Sequence, residues 1–397
     1  MKIVFVNTLF PPHDIGGAEQ SVRLLGKELI DRGNQVDVIT LSPDNEYSQE
    51  NKDGLNVHYL PLKNLYWPFT DYGHSRWLKP VWNLVDWYNP MMASRVGEIL
   101  DDVQPDFMHT HNLYGFSTSV WAEAEDRSIS VIHTLRDYYL NCLYGTLYRS
   151  GDTCEEQCTD CRLWTSHRRS GSSSVQAVTG ISQFILGNHV DNGFFEGTST
   201  RSVIYNPLPP DFLRESPPDL QERSGEPFRV GFLGRLDRSK GIEFFLREAD
   251  NSNPDKFRFH VAGTGVKSYE HQLRQKYENE HIEFHGYQQA REFLDRVDVL
   301  VVPSRWPEPM GRVVIEAFAR GTPVIASRNG GLPELIDEGE NGYLLDSFKK
   351  EQLQEYLSKI TSNSNTYQEM CQYALKSARQ FTVDKITDHY MSLYNEL

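Results

Sequence analysis

Short apolar runs alternate with helical patterns along most of this chain, and that alternation is the strongest restriction on its fold. Uninterrupted runs such as KIVFVNT and VLVVPS are typical of parallel strands that are covered on both faces. Between such runs lie segments with helical spacing, for example a predicted helix from about Ala18 to Arg32 with Val22, Leu25 and Leu29 on one face. Strands that alternate with helices predict an α/β protein with doubly wound parallel sheets.

The alternation occurs in two series, which are separated by the polar, proline-rich segment RESPPDLQERSGEP. With 397 residues, of which 39% are apolar, the chain is too long for one typical core. We therefore predict two Rossmann-like domains with a boundary near Asn206 to Arg214. The last segment is helical in pattern, with Ile386, Tyr390 and Leu393 on one stripe. The predicted divisions are an N-terminal domain over residues 1–205, a C-terminal domain over 206–378 and a closing helix over 379–397.

The charge of the chain excludes one class of partner. A formal net charge of -15 argues against nucleic acid, because phosphate backbones select for basic surfaces. No run of eighteen apolar residues is present, and the N-terminus MKIVFVNTLFPPHD has neither a charged n-region nor a cleavage site. We therefore expect a cytoplasmic protein without a spanning helix or a signal peptide.

Tryptophans and basic residues are concentrated in two segments of the first half. They are Trp67, Trp77, Trp82 and Trp87, followed by Arg162, His167, Arg168 and Arg169. Together they would form a peripheral membrane or lipid-acceptor surface, with aromatic rings at the headgroup level. The alternative is a tryptophan-rich helix that packs on the core of the first domain.

A strand, a loop and a helix in the second half place two glutamates eight residues apart. The strand VLVVPS leads into the loop RWPEPMG, which carries Glu308, and then into the helix RVVIEAFARG, which carries Glu316. Both lie near the carboxyl end of the strand, where open α/β sheets bind ligands. The first-turn amides of Gly311, Arg312 and Val313 suit phosphate, and carboxylates suit paired sugar hydroxyls. This pattern predicts a site for a ligand with phosphate and polyol groups; the alternative is a surface loop and an amphipathic helix.

The segment FLGRLDRSKGIEFFL opens the second series with a strand, a turn at Gly234 and a loop. Arg235 and Lys240 flank this loop, which leads into a helix at Gly241. A guanidinium that binds two oxygens and an ammonium point charge suit a diphosphate. The alternative is a pair of solvated cations, as we expect for the neighbouring Arg238.

The first domain offers two further sets of candidate residues. Gly16 and Gly17 end the first strand-to-helix loop, so backbone amides there could meet the same diphosphate. His109, His111 and His133 are predicted to stand at strand ends in PDFMHTHN and SVIHTLRDYY. Side chains in such positions can reach a reacting sugar or an acceptor, although many lone histidines are structural.

Four of the five cysteines lie close together within the segment 142–161. Cys142, Cys154, Cys158 and Cys161 follow the pattern C-x11-C-x3-C-x2-C. In a reducing compartment such spacings favour a metal over a disulfide. A tetrahedral zinc bound by four thiolates has no open position, so we expect a structural role for it. A redox or iron–sulfur role and free thiols are the alternatives.

Several of these segments resemble the retaining glycosyltransferases of family 4. EPMGRVVIEAFARGTPVIAS and NGGLPELIDEGENGYLL resemble the family's donor-binding signature, and Glu308 and Glu316 have its E-x7-E spacing. FLGRLDRSKGIEFFL is similar to the family's GR-x-x-x-x-KG segment, in which Arg235 and Lys240 match. IGGAEQSVRLLGKEL resembles its N-terminal GG-x-E segment. The resemblance covers most of the chain and is strongest in the second half.

This resemblance implies the GT-B architecture, in which two Rossmann-like domains face each other across a cleft and the closing helix crosses back to the first domain. It implies a nucleoside-diphosphate sugar as donor substrate. Glu308 would bind sugar hydroxyls, Glu316 the ribose, and Arg235 with Lys240 the diphosphate. His133 resembles the family's active-site histidine, which contacts the sugar near its reacting carbon.

The chain departs from the family pattern at one place. Relatives often read HD where this chain reads Arg136-Asp137. That leaves the role of Arg136 open, and selection of an anionic acceptor is one interpretation. Ser182 and Asn206 match family positions near the cleft, and ordinary caps are the alternative interpretation for both.

The resulting hypothesis is a retaining glycosyltransferase that moves a hexose-type sugar to a hydroxyl of a glycan, glycolipid or small-molecule acceptor. No Asp-x-Asp pair is present, so we expect no divalent metal and no other cofactor to be required for the chemistry. The alternatives are a sugar-nucleotide epimerase or phosphorylase of the same architecture, and a non-catalytic protein that binds nucleotide sugars. A dinucleotide dehydrogenase is disfavoured, because no G-x-G-x-x-G opens either domain.

Overall fold

The computed structural model describes residues 1–13, 16–69, 77–149, 151–218, 225–346, 348–349 and 351–397. The chain divides into two compact units. The first unit comprises Met1–Leu147, Cys154–Pro207 and Val383–Leu397, and the second comprises Tyr148–Thr153 and Leu208–Thr382. The closing segment therefore belongs to the first unit. Tyr148–Thr153, which lies within the cysteine-rich segment 142–161, belongs to the second.

Sixteen strands are present in the described part of the chain. In chain order they are β1 Lys2–Val6, β2 Gln35–Ser42, β3 Ser48–Lys52, β4 Leu55–Pro61, β5 Phe107–Thr110, β6 Ser130–Leu135, β7 Tyr148–Arg149, β8 Asp152–Thr153, β9 Ala177–Gly180, β10 Thr200–Val203, β11 Phe228–Leu233, β12 Phe257–Ala262, β13 Ile282–Phe284, β14 Val299–Val302, β15 Val324–Ser327 and β16 Gly342–Leu345.

The same residues form fourteen α-helices. They are α1 Gly17–Asp31, α2 Lys79–Trp87, α3 Pro90–Val103, α4 Ser119–Asp126, α5 Thr159–Trp164, α6 Ser166–Gly171, α7 Gln183–Asp191, α8 Ile242–Asp250, α9 Lys267–Tyr277, α10 Ala290–Leu294, α11 Arg312–Ala319, α12 Gln352–Thr361, α13 Ser364–Ala378 and α14 Val383–Glu396.

The first unit is built on an eight-stranded sheet with the order β10-β9-β6-β5-β1-β2-β4-β3. The strands are parallel except for β3, which is antiparallel to β4 at one edge. After β1 the chain adds β2 to one side of β1. Later in the chain, β5 pairs with the other side of β1, and the sheet grows outward from there. The switch point of this sheet therefore lies between β1 and β5, at whose carboxyl ends α/β proteins bind ligands.

The second unit contains a six-stranded, fully parallel sheet with the order β13-β12-β11-β14-β15-β16. Its switch point lies between β11 and β14 by the same reasoning. The central strands are buried on both faces, as their uninterrupted apolar sequences predict. The predicted α/β class with two doubly wound Rossmann-like sheets is thus confirmed.

The closing helix α14 packs on the core of the first unit. Ile386, Tyr390 and Leu393 form the predicted stripe and are buried in the same apolar cluster as Phe5 of β1 and Leu25 of α1. The helix begins at Val383, after a short 3-10 turn over Arg379–Phe381. Apolar contacts at helical spacing thus fix the C-terminus to the first sheet.

Each of the two segments, the tryptophan segment and the basic segment, has a member that is buried and does not lie on an exposed surface. Trp82 is fully buried, and its Nε1 donates to the Tyr66 carbonyl at 2.9 Å. Arg168 is buried as well, and its guanidinium pairs with Asp86 at 3.4 Å. Trp77 is 86% exposed. For Trp82 the packing alternative is therefore correct. No helix among the described residues combines the length and the apolar character needed to cross a membrane.

Candidate functional site

Two loops of the second unit meet at the switch point of its sheet. One follows β11 and carries Lys240, and the other follows β14 and carries Glu308. The Lys240 Nζ donates to Glu308 Oε1 at 2.6 Å, although the two residues are 68 positions apart. The Ser304 hydroxyl donates to the same oxygen at 2.7 Å. The structure therefore joins the two sequence motifs into one polar cluster.

This pair is partly shielded from water. The side chain of Glu308 is 10% exposed and that of Lys240 is 24% exposed. The Lys240 ammonium also lies 4.8 Å from the ring centroid of Trp306. A charge pair in such surroundings is screened less by water than a surface pair, so its charges act strongly on a ligand beside it.

Two glycines allow the loops to approach each other. Gly241 has a φ of +73°, and a Cβ at this position would lie 1.8 Å from the carbonyl oxygen of Pro303. Gly330 has a φ of +63°, and a Cβ there would lie 2.3 Å from the carbonyl oxygen of Glu308. A side chain is therefore excluded at both positions by backbone conformation and by space. Gly241 of the KG sequence and Gly330 of the NGG sequence thus fix the backbone positions of Lys240 and Glu308.

The other predicted cations and acids surround this pair. Arg235 is exposed and follows the carboxyl end of β11 by two residues. Burial raises the pKa of Asp237, but hydrogen bonds from Ser239 and the positive charges of Arg235 and Lys240 outweigh it, so that the pKa is lowered. The loop after β11 is therefore electropositive even though it contains an aspartate.

The helix α11 starts at the end of the Glu308 loop. Its N-cap is Gly311, which places the amides of Gly311, Arg312 and Val313 at the first turn. Glu316, one turn further, accepts a hydrogen bond from Arg312 Nε at 2.8 Å, and both side chains are largely buried. Glu316 is thus held by a cation at its own helix start.

The first unit places His109 and His133 inside strands, not at the strand ends that the sequence analysis predicted. His133 is 3% exposed and lies in β6, with Nδ1 2.8 Å from the Thr110 hydroxyl. Its ring packs against Trp121 and Phe195. Because its ring packs on these aromatic side chains, His133 lies in the core of the first unit. His109 is fully buried and is bonded to Thr134 and Tyr394.

Residues just beyond the ends of β5 and β6 meet at the switch-point side of the first sheet. His111 follows β5, Arg136 follows β6, and Arg136 Nε donates to His111 Nδ1 at 3.3 Å. The guanidinium also donates to Asn206 Oδ1. The Nε2 atom of His111 is buried and has no hydrogen-bond partner among the described residues. Arg136, His111 and Asn206 therefore occupy the place that the sequence analysis gave to His133.

The buried imidazoles of His133 and His111 are neutral at neutral pH. Burial, together with the charges of His189 and Arg136, lowers the pKa of His133 to about 3. Burial is also the main cause that lowers the pKa of His111 well below its usual value, with His109 and Arg136 adding to it. A neutral imidazole that accepts from Arg136 through Nδ1 carries its proton on Nε2. His111 can then donate a hydrogen bond there.

The remaining candidates of the first unit have mainly local roles. The Gly16 N–H donates to the Glu19 carboxylate at 3.1 Å, and Gly17 begins α1. The Gly16 amide is thus bonded to the start of its own helix, and its use as a phosphate donor stays a prediction. Asp14 and Ile15, which precede the glycine pair, lie outside the described residues. Ser182 accepts from the Ile185 N–H at 3.1 Å and is a helix cap.

Both halves of the chain match known protein families. Residues 16–198 match the family model described as "Glycosyl transferase 4-like domain", and residues 215–377 match the one described as "Glycosyl transferases group 1". This chain belongs to the group 1 glycosyltransferases. It is therefore an enzyme of glycosyl transfer, and the second match includes Arg235, Lys240, Glu308 and Glu316.

Relatives of this glycosyltransferase are found in bacteria and archaea. It is 32% identical to a 42.6 kDa protein in the cps region of Klebsiella pneumoniae, over 99% of this chain and 100% of that protein. It is 26% identical to a glycosyltransferase of Methanocaldococcus jannaschii, over 86% of this chain and 84% of that protein.

Solved structures share the fold of this glycosyltransferase along its whole length. A crystal structure of Anabaena HepE in complex with UDP and glucose aligns with a TM-score of 0.73 at 18% identity, over 100% of both chains. Sucrose-phosphate synthase from Thermosynechococcus elongatus aligns with a TM-score of 0.75 at 20% identity, over 100% of this chain and 98% of that chain. The fold of this glycosyltransferase is GT-B.

Two groups of side chains among the described residues have the composition of metal sites. One contains Cys158, Asp160 and Cys161. The other contains His260, Glu283 and His285, whose donor atoms lie within 4.8 Å of one another. The second group was missed in the sequence analysis, because His260 and Glu283 become neighbours only through the parallel pairing of β12 with β13. All three side chains of that group are only partly buried.

Proposed function

We propose that this glycosyltransferase moves a hexose-type sugar from a nucleoside-diphosphate sugar to a hydroxyl of a glycan, glycolipid or small-molecule acceptor, with retention of configuration. The observation that carries the proposal is the contact of Lys240 with Glu308 at the switch point of the second sheet. It combines a cation for phosphate with a carboxylate for sugar hydroxyls at the place where such sheets bind ligands.

The diphosphate is the part of the donor that Arg235 and Lys240 would hold. Breaking the bond between sugar and phosphate leaves about one additional negative charge on the diphosphate, and fixed cations stabilise that charge more than bulk water does. The first-turn amides of α11 provide further donors for an anion. These groups favour departure of the nucleotide.

The sugar and the ribose are the parts that the two glutamates would hold. Among the described residues, the bonds from Lys240 and Ser304 both end on Oε1 of Glu308, so that Oε2 retains its capacity for sugar hydroxyls. Glu316 is oriented by Arg312 and would accept from the ribose hydroxyls. A carboxylate accepts two such bonds, which suits a vicinal diol.

In the first unit we assign the contact with the reacting sugar or the acceptor to Arg136 and His111, in place of His133. The buried Nε2 of His111 can donate to a hydroxyl, and the guanidinium of Arg136 is held in place by Asn206. A fixed guanidinium suits an anionic acceptor.

The transfer that we propose takes place on one face of the sugar. The acceptor hydroxyl attacks from the side that the diphosphate leaves, and an oxygen of the leaving group takes its proton. Retention through a covalent intermediate would need a nucleophile and an acid at short separation. The carboxylate of Glu308 already accepts from Lys240 and Ser304, which favours a binding role for it. No divalent metal is required in this scheme.

The relatives support the substrate classes. HepE structures contain UDP-glucose or UDP, and the Klebsiella relative is a protein of the cps region. We therefore propose uridine diphosphate sugars as the first donors to test and a glycan or lipid-linked glycan as the acceptor. Peripheral membrane contact is part of the proposal. It is supported by exposed apolar side chains on and beside α2, namely Trp77, Leu78, Val81, Leu84, Tyr88 and Met91.

Thermal unfolding with a panel of uridine, guanosine and adenosine diphosphate sugars tests the donor site. We expect one sugar nucleotide, at about a hundred times its dissociation constant, to stabilise the protein by roughly 2.7 kcal/mol. Glu316→Ala should abolish most of this gain, because the ribose loses its acceptor. Glu340→Ala, at an exposed position in the same unit, is the matched control and should retain it. Stabilisation by NAD alone, with none from any sugar nucleotide, would refute the proposed donor class.

A further inference from the structure

Three polar side chains meet on one face of the second sheet, at its β13 edge. His260 of β12 is directly opposite Glu283 of β13 in the parallel register. His285 lies two residues beyond Glu283, and its N–H donates to the Val261 carbonyl at 2.8 Å. Phe259 and Val261 belong to the core cluster of the second unit, so the alternating side chains of His260, Glu283 and His285 lie on the opposite face. Strand pairing thus brings two imidazoles and a carboxylate together.

The donor atoms of these side chains have separations that one metal ion can span. His260 Nδ1 lies 3.0 Å from His285 Nε2. Glu283 Oε2 lies 3.8 Å from each of these two nitrogens. The circle through three atoms with these separations has a radius of about 2.1 Å, which is the length of a bond from Zn²⁺ to a histidine nitrogen or a carboxylate oxygen. An ion near the centre of this circle would therefore bond to all three atoms.

The surrounding contacts direct the same three atoms at one another. His260 Nδ1 faces His285 and Glu283, whereas His260 Nε2 is buried and has no hydrogen-bond partner among the described residues. An Arg258 nitrogen lies 3.8 Å from Oε1 of Glu283, which is the carboxylate oxygen on the other side. Arg258 therefore leaves Oε2 to the histidines.

The protonation state of His260 suits metal binding. Burial is the main cause that lowers the pKa of His260 below its usual value. The carboxylate of Glu283 opposes this shift, and the positive charges of His285, Arg258 and Arg296 add to it. The imidazole of His260 is therefore neutral at neutral pH, and a neutral imidazole is the form that binds a metal.

Solvent can reach the centre of this group. The side chain of His260 is 14% exposed, that of His285 is 25% exposed and that of Glu283 is 43% exposed. The ring of His285 packs against Phe293 of α10, with ring centroids 6.3 Å apart. A metal ion can enter from the side of Glu283, and water can complete its coordination, as it does at zinc sites with three protein ligands.

We propose that His260, Glu283 and His285 bind one Zn²⁺ ion through Nδ1, Oε2 and Nε2, respectively, with water in the remaining position. When the ion binds, the imidazole that donates in the hydrogen bond between the two histidines moves its proton to its other ring nitrogen through solvent, and no electron is transferred. Imidazole ligands suit zinc, whereas Ca²⁺ and Mg²⁺ prefer oxygen ligands.

This site is separate from the proposed sugar-transfer chemistry. Its ligands lie in β12 and in the segment around β13, whereas Lys240 follows β11 and Glu308 follows β14. The strand β13 has three residues and pairs only with β12, at the edge of the sheet. An ion held by both strands would therefore stabilise this edge, and the inference does not depend on the proposed donor or acceptor.

Co²⁺ added to the metal-free full chain tests the inference, because it replaces zinc at such sites and absorbs visible light. We expect about one Co²⁺ per chain with the visible bands of a four- or five-coordinate ion, and Zn²⁺ should displace it. His285→Gln and Glu283→Gln should each weaken this binding at least about tenfold, since the loss of an outer-shell partner alone has an effect of that size. The weak spectrum of six-coordinate Co²⁺, or equal binding in the wild type and both variants, would overturn the inference.

Matched variants separate this site from other metal-type donors. His271→Gln and Glu340→Gln change an exposed histidine and an exposed glutamate of the same unit and should retain Co²⁺ binding. Cys158→Ser changes a member of the other group of metal-type side chains and should also retain it. A spectrum that shows only sulfur-to-metal charge transfer and disappears in Cys158→Ser would contradict the proposal.

Thermal unfolding of the wild type provides a readout that does not depend on variants folding. Zn²⁺ should raise the midpoint of unfolding, because it binds the folded edge of the sheet, and a chelator should reverse the rise. Mg²⁺ at the same concentration should leave the midpoint unchanged, since the site offers two nitrogens and one carboxylate. A midpoint that responds equally to Zn²⁺ and Mg²⁺, or to neither ion, would contradict the proposed site.

Discussion

Lys240→Ala is expected to reduce the rate of sugar transfer at least about a hundredfold, which corresponds to roughly 2.7 kcal/mol of transition-state stabilisation. The ammonium is held 2.6 Å from Glu308 Oε1 and is partly shielded from water, so it is positioned before the donor arrives. In the transition state the diphosphate gains negative charge, and a fixed cation stabilises that state more than the ground state. The loss should therefore appear mainly in kcat.

Removal of Lys240 also leaves the Glu308 carboxylate without its cation. A carboxylate left unpaired near a diphosphate repels it, which adds to the loss. Arg238→Ala is the matched control, since Arg238 is two residues away on the same turn and its side chain is 74% exposed. Steady-state release of nucleoside diphosphate should be close to wild type in Arg238→Ala. Comparable rates for Lys240→Ala and the wild type would refute the role of the ammonium.

Glu308→Gln is expected to cause a loss of the same order, at least about a hundredfold in rate. The substitution preserves the shape of the side chain but replaces one oxygen by an NH₂ group, which cannot accept from sugar hydroxyls. It also removes the negative charge that holds Lys240 and Ser304 on Oε1. The variant should therefore lose hydrogen bonds from the sugar hydroxyls, and the ammonium of Lys240 should no longer be held in place.

The double variant Lys240→Ala/Glu308→Gln separates these two effects. If Glu308 acts only by holding Lys240, the double variant should be no slower than Lys240→Ala alone. We expect it to be slower, because Glu308 also contacts the sugar. Glu340→Gln serves as the control for removing an acidic charge from the second unit, and its rate should stay close to that of the wild type. Near-wild-type turnover in Glu308→Gln would rule out the assignment.

The fold was largely predictable because its signals are local. The helix predicted from about Ala18 to Arg32 is observed as Gly17–Asp31, and its apolar residues Val22, Leu25 and Leu29 are buried. The pattern of uninterrupted apolar runs likewise predicted the parallel strands of both units. Periodicity reports which face of an element is buried, and these faces fix the sheet layers.

The site was predictable only where a motif is contiguous. The spacing of Glu308 and Glu316 can be read from one segment, but the bond between Lys240 and Glu308 depends on strand order and joins residues 68 positions apart. The expected place of His133 at a strand end differs from the structure for another reason. The apolar run of the strand already includes His133, and β6 continues to Leu135, so that Arg136 and not His133 follows its end.

The packing of the aromatic residues was beyond the sequence pattern as well. Trp82 and Trp77 are both close to the start of α2, yet one is buried and the other is almost fully exposed. Helical spacing places side chains around the axis, whereas burial depends on which neighbouring elements cover each face.

Nuclear magnetic resonance of the slow reaction with water tests whether this enzyme transfers sugar from a nucleoside-diphosphate sugar with retention of configuration. The sugar nucleotide that stabilises the protein is incubated with enzyme, and the anomeric proton of the first free sugar is recorded before mutarotation. We predict release of nucleoside diphosphate and sugar in equal amounts, with the first sugar in the anomeric configuration of the donor. A first product of opposite configuration, an epimerised nucleotide, or a reaction that requires free phosphate would rule out retaining transfer.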